Sequence, residues 1–265
     1  MPTAPHGLPR PLVGPSADSP VIDSQYLPHL RRYPVTRFLC RRAATLAKTR
    51  VLDFEGVEIL RSLPDPFILV ANHNHRLEAV LLPSLSVMAR QGKMIHFMAD
   101  WPMMLIPGIG TIYRNNQVIP VFSKNAKPPW LNRFKPFYER RYPGTAWQRA
   151  AAFLDAGKSI GVYPEGTMNR RPDELLAGRR TAARLALEKR VPILPMGARF
   201  PEVKGRRISD NDVMSLHVGE PMSPPPLDGA VDGEASPELI DDFHAQMMTT
   251  ISKLCGKSWN PDGPR

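Results

Sequence analysis

The sequence predicts an α/β domain with a mostly parallel or mixed central sheet flanked by helices. Three observations carry that expectation. Short apolar runs that suit buried strands alternate with segments of helical period, the order that packs helices onto a parallel sheet. The 265 residues suffice for one sizeable domain with its own core. Two of the apolar runs end directly in polar clusters, Asn72-His73-Asn74-His75-Arg76-Leu77-Glu78 and Tyr163-Pro164-Glu165-Gly166-Thr167, as happens where a sheet presents a site along one edge.

Taken in order, residues 1–25 are rich in Pro, Ser and Gly and read as a disordered leader. A single domain is expected over 26–258, with a short tail at 259–265. Residues 35–48 read as a helix with Val35, Phe38, Leu39, Ala43, Leu46 and Ala47 on one face and Arg37, Arg41 and Lys48 on another. No acid occurs between Asp23 and Asp53. Such a helix can lie on an anionic membrane, or it can pack its apolar face on the domain and leave its arginines in water. Phe67–Val70 reads as a buried strand, and Ala79-Val80-Leu81-Leu82 as the start of a buried helix. Strands are expected at 95–98, 118–121, 159–162, 193–196 and 214–218, and helices at 147–154 and 180–189. Ser236 caps a last helix, with Pro237 at its first position, Gly256 beyond its end, and Leu239, Ile240, Phe243, Met247, Ile251 and Leu254 as its apolar stripe.

The long connection at 122–146 interleaves basic and aromatic residues. That pattern suits single-stranded nucleic acid, but no nucleic-acid module accompanies it. A loop that faces a membrane or covers a substrate is expected instead. The net charge of +10 asks for an anionic partner: a phospholipid surface, a phosphorylated substrate, coenzyme A or nucleic acid. Cys40 and Cys255 have no metal spacing and suit free thiols in a reducing compartment. No signal-peptide pattern and no run of about 18 apolar residues is present, so a peripheral protein is expected rather than a spanning one.

The chemistry concentrates at His73 and Glu78. A histidine at a strand end, with a carboxylate one turn into the next helix, forms a pair in which the carboxylate orients the imidazole and stabilises its protonated form. That is what a base for a hydroxyl proton requires. His75 makes His-x-His with His73, but nothing supplies a convincing further ligand and no metal is expected. Gly157-Lys158-Ser159-Ile160-Gly161 has the spacing of a nucleophile elbow, but with a helix before Ser159 and a strand after it the order is inverted, so Ser159 is structural. Met88, Met94, Met98, Met103 and Met104 suit core filling or an acyl slot.

Asn72-His73 with Glu78 resembles the NHx4D block of the glycerolipid acyltransferases, the lysophosphatidic acid acyltransferase superfamily, with Glu where Asp is usual. Tyr163-Pro164-Glu165-Gly166-Thr167 resembles that family's FPEGT block, followed by Met168 where Arg is common. Val191-Pro192-Ile193-Leu194-Pro195 resembles a third marker near the acyl donor, and Gly110-Thr111-Ile112-Tyr113-Arg114 a block with a phosphate-binding Arg. Phe54–Glu58 and Val218–Pro221 look like further family punctuation.

The resemblance spans roughly 50–225. It implies a glycerolipid-acyltransferase-like fold and transfer of a fatty acyl chain from acyl-coenzyme A or acyl carrier protein to a lysophospholipid hydroxyl, such as that of 1-acylglycerol-3-phosphate. A glycolipid or specialised-metabolite acceptor, or a catalytically silent lipid-binding protein, are the alternatives. No cofactor, metal or acyl-enzyme intermediate is implied. His73 would be the base and Glu78 its partner. Glu165, Gly166, Thr167, Arg114, Arg170 and Arg171 would bind the acceptor, and Pro192 would mark the donor region. The protein would sit at the cytoplasmic face of an anionic membrane.

Overall fold

Among the described residues, seven strands form one sheet: β1 (Val51–Glu55), β2 (Ile68–Ala71), β3 (His96–Asp100), β4 (Ile119–Val121), β5 (Ile160–Val162), β6 (Ile193–Arg199) and β7 (Met214–Val218). Their order is β1-β7-β6-β2-β5-β3-β4. The structure is a computed structural model describing residues 27–31, 33–201, 203, 205–226 and 234–264. The expected leader at 1–25 lies outside those residues. All pairings are parallel except β6 with β7, where Met196 faces Val218, so the sheet is mixed.

The helices are α1 (Pro34–Arg50), α2 (Val57–Ser62), α3 (Glu78–Ala89), α4 (Ile109–Asn115), α5 (Lys135–Arg141), α6 (Ala146–Asp155), α7 (Thr181–Lys189) and α8 (Pro237–Cys255). They cover both faces of the sheet, and β2 shows why its sequence is apolar without interruption. Its residues alternate between two cores. Phe67, Leu69 and Ala71 join Leu81, Leu82 and Leu85 of α3 on one face. Ile68 and Val70 join Leu154 of α6, Leu185 of α7 and Phe243 and Met247 of α8 on the other. Burying each large side chain contributes roughly 1.5–3 kcal/mol, so the strand is held from both sides and gives the following residues a rigid base.

Helix caps fall where the sequence places them. Ser236 accepts from Leu239 N–H at 3.2 Å, and Gly256 closes α8 in the left-handed conformation. At α6, Thr145 and Gln148 satisfy each other's backbone N–H groups in a reciprocal cap.

Several elements differ from the expectation. β1 and α2 form in the segment read only as punctuation. Gly56 between them has φ +69°, and a Cβ there would lie 2.5 Å from the Val218 carbonyl, which explains why a glycine separates them. The connection at 122–146 carries a 3₁₀ turn (Pro129–Phe134) and α5, and Trp130, Phe134 and Phe137 stand exposed on it. In α1 the buried face is Thr36, Cys40, Ala43, Ala44 and Ala47, which pack toward α3. Phe38 is 61 % and Leu46 38 % exposed. Small residues let the two helices approach closely, and the larger apolar side chains are left outside. Residues of the segment expected as a tail at 259–265 bond back to the domain: Trp259 Nε1–H donates to the Ala177 carbonyl at 3.3 Å and Ala177 N–H to the Pro264 carbonyl at 3.0 Å.

Candidate active site

His73 leaves the C-terminal end of β2 in a loop clamped on every side. Asn72 exchanges two hydrogen bonds with Ala198 of β6, at 2.8 and 2.9 Å. The His73 N–H donates to Glu165 Oε1 at 3.0 Å, and its carbonyl accepts from Asn169 N–H at 2.7 Å. The Tyr163 ring stacks on the imidazole with 4.4 Å between centroids. Glu78, fully buried at the first turn of α3, places Oε1 3.3 Å from His73 Nδ1. Facing a carboxylate, Nδ1 carries the proton, which leaves Nε2 as the ring's acceptor. Asn74 holds the other end of the carboxylate, donating from Nδ2 to Glu78 Oε2 at 2.6 Å and from its backbone N–H at 3.0 Å.

His75 serves a different purpose. Its Nδ1 accepts the Glu78 N–H at 2.9 Å, its ring meets Phe200 edge-on, and burial pulls its pKa below the usual 6.5. It therefore supports the start of α3 while His73 faces the cavity. Among the described residues, no group of three or more His, Cys, Asp or Glu is arranged to hold a metal ion.

His73 opens onto a cavity of about 1640 Å³. Apolar residues of α1, α3 and α4 line it, among them Leu39, Val80, Pro83, Val87 and Ile112. Met94, Met98 and Met103 border the cavity, whereas Met88 and Met104 are buried. Gly166, Thr167 and the start of α7 line it as well. Apolar side chains and arginines thus line one cavity together with the imidazole.

The structure redistributes the other site residues expected from sequence. Gly166 and Thr167 line the cavity. Glu165 does not. It is 4 % exposed, and its two oxygens accept from His73 N–H, Asn169 Nδ2 and Leu176 N–H at 3.0, 2.8 and 2.9 Å. Burial pushes its carboxyl above the usual range, against the pull of those donors. Its work is to brace the histidine loop. Arg170 pairs with Asp210 at 2.8 Å and Arg171 with Glu174 at 2.8 Å, and neither borders the cavity. Arg114 is exposed, bonds Thr111 Oγ1 at 3.1 Å and also lies off the cavity wall. Pro192 sits at the opposite end of the sheet from His73, its carbonyl accepting the N–H of Ile68 where β2 begins. Ser159 accepts the Phe67 N–H and donates to Asp65, consistent with a structural role.

Sequence reasoning missed Arg179. The loop after Thr167 folds back so that Arg179 N–H donates to the Pro164 carbonyl at 2.7 Å. Its guanidinium then lies over Gly166, where a Cβ would come within 2.7 Å of Arg179 Nε. Gly166, at φ +66°, accommodates both the turn and that approach. Among the described residues, Arg76 and Arg179 line the cavity with no side-chain hydrogen bond or ion pair. Lys124, Arg149, Arg180 and Arg184 are tied to carbonyls or carboxylates. Arg179 lies 12 positions beyond Thr167, outside the span that a local motif scans, so no spacing signal marked it.

A family model described as Acyltransferase matches residues 51–199, more than half the chain. No curated protein matches the chain. Among solved structures, the chain is similar to the 1-acyl-sn-glycerophosphate (LPA) acyltransferase, PlsC, from Thermotoga maritima. The TM-score is 0.54 at 20 % identity, over 86 % of this chain and 80 % of that one. At that identity the likeness concerns the fold.

Proposed function

From the chain's membership of the Acyltransferase family, we propose transfer of a fatty acyl group from a thioester to a hydroxyl of a lysophospholipid bearing a phosphate monoester, with 1-acylglycerol-3-phosphate as the type of acceptor. The observation that carries this reading is His73 on the wall of the cavity, its Nδ1 against a buried Glu78 and its Nε2 free for a hydroxyl proton. Nε2 takes the proton as the hydroxyl oxygen attacks the thioester carbonyl. Glu78 orients the ring and stabilises the imidazolium that forms. Collapse of the tetrahedral intermediate expels the thiolate, which takes up the proton from the His73 imidazolium, so the neutral imidazole is restored and no residue is acylated. The apolar lining suits the acyl chains, and Arg179 and Arg76 suit the phosphate, each a charge-assisted donor without a competing partner.

The donor class is acyl-coenzyme A or acyl carrier protein. No helix among the described residues is long and apolar enough to cross a membrane. Val80, Met103, Ile106 and Met168 are exposed apolar residues that also border the cavity, which supports peripheral docking with the cavity facing lipid.

The test is thiol release from acyl-coenzyme A with a panel of acceptors, in wild type and His73→Ala. Release only with phosphate-bearing lysolipids, falling about 100- to 10,000-fold in His73→Ala, supports the reading. Release with glycolipid acceptors alone would move the substrate class. No release with any acceptor or either donor would leave a lipid-binding protein.

A further inference from the structure

Lys257 follows the C-terminal cap of α8 and is 4 % exposed. An ammonium group so placed is costly unless each of its donors finds an acceptor. Its Nζ donates to Asn74 Oδ1 at 2.5 Å and to the Arg171 carbonyl at 2.7 Å. Burial lowers its pKa, and Glu165, then Cys255 and Glu78, pull it back.

The Asn74 amide is the informative link. One end takes the Lys257 proton, and the other donates to Glu78 Oε2 at 2.6 Å. An ammonium has only donors and a carboxylate only acceptors, so the amide fits this gap one way round. The result is a single file of bonds from Lys257 through Asn74 and Glu78 to His73 Nδ1. Each member faces a partner of the correct polarity. Hydrogen bonds arranged in this way polarise one another in a low-dielectric interior.

We propose that Lys257 is a positioning residue for the His73–Glu78 pair, acting through the Asn74 amide. Its charge draws electron density toward Asn74 Oδ1 and strengthens the N–H bond that Asn74 makes to Glu78. The carboxylate is thereby fixed with Oε1 toward the imidazole. Glu has one more rotatable bond than the Asp usual at this place in the family, so it has more to gain from a second anchor. The inference rests on His73 being the base of the proposed reaction. The competing role is fastening alone: Lys257 would tie the segment after α8 to the Arg171 loop and leave the pair unaffected.

A double-mutant cycle in the full chain separates the two. Lys257→Met and Lys257→Gln are made in wild type and in Glu78→Gln, with kcat, both KM values and the melting temperature measured for each. The expected result for Lys257→Met is a kcat lowered about 10- to 100-fold with both KM values within about twofold. Lys257→Gln, which keeps a donor without the charge, falls between. In the Glu78→Gln background, Lys257→Met costs less than about threefold more, because the carboxylate it positions is already gone. An equal fold-loss in both backgrounds, a loss confined to KM, or a lower melting temperature at unchanged kcat would overturn the proposal in favour of fastening. Should Lys257→Met fail to fold, Lys257→Gln decides through the same cycle. A wild-type rate in Glu78→Gln would remove the pair itself, and the inference with it. A slow Glu78→Gln with additive Lys257→Met removes only the inference.

Discussion

Replacing Glu165 with Gln tests the assignment in which the structure departs most from the sequence motif. The carboxylate accepts from three donors, His73 N–H, Asn169 Nδ2 and Leu176 N–H. A glutamine carbonyl can replace one oxygen, but its amide then points hydrogen at the donors on the other side. Turning the carbonyl to keep Asn169 and Leu176 sets the amide against the His73 N–H, so that donor and the amide's own hydrogen are both left unmade. Each buried donor left unmade costs about 1–3 kcal/mol. The sum is moderated because burial already penalises the ionised carboxylate. A loss of about 3 kcal/mol follows, and at roughly 2–4 °C per kcal/mol for a domain of this size the melting temperature falls about 6–12 °C. Because the donor that moves is the backbone of the base, kcat falls more than the acceptor KM rises. Differential scanning fluorimetry beside steady-state kinetics reads both. A melting temperature within a degree of wild type, with the loss confined to acceptor KM, would refute the bracing role and return Glu165 to the acceptor site.

Arg179→Gln is expected to raise KM for a phosphate-bearing acceptor about tenfold, with little effect from Arg170→Gln, and acceptor titrations check the ranking. His75 and His96 are both held below the usual histidine pKa of 6.5 by burial. The unfolded chain therefore binds more protons than the folded one as pH drops below 6.5. Their contribution to stability is complete above that value and is lost as pH falls toward their folded values. Melting curves between pH 7.5 and 5 should show that decline, and His96→Phe should flatten part of it. Arg41, Arg42 and Lys48 are exposed on α1 and Arg37 is half-buried beside them. At roughly 1 kcal/mol per basic residue near an anionic surface, replacing all four with Gln should weaken co-sedimentation with anionic vesicles, and high salt should weaken that of wild type. Equal pelleting of the variant would shift the anchor to the exposed aromatic and basic residues of 129–141.

The strands and long helices were legible because buried elements repeat at fixed periods. β2, between two cores, had to be apolar at every position, and α8 carried its own start and stop signals. The pair of His73 and Glu78 was legible for a related reason: both lie within one turn of the same strand end. What stayed hidden depended on distance. The Glu165 role is set by a histidine backbone 92 positions away, and a motif does not distinguish a carboxylate that meets substrate from one that meets a peptide N–H. Arg170 and Arg171 stood at the expected spacing, but Asp210 and Glu174 had claimed them. Likewise the face that α1 buries was chosen by how closely α3 could approach, which favours Ala and Cys over the Phe and Leu that dominate a hydropathy reading.

The bond from Lys257 to Asn74 joins positions 183 apart in the chain, and this bears on when the protein becomes competent rather than on how it works. Contacts of such long sequence separation close late, after the loop entropy between them has been met. During synthesis the histidine loop emerges long before the lysine that completes its polar surroundings. Until then the Asn74 amide has no ammonium to face, although the Ala198 and Glu165 partners of the loop are already made. The polar surroundings of the reacting centre are therefore complete only once the segment after α8 is in place. A nascent chain stalled before α8 carries every recognisable motif and still lacks the arrangement that gives those motifs their meaning.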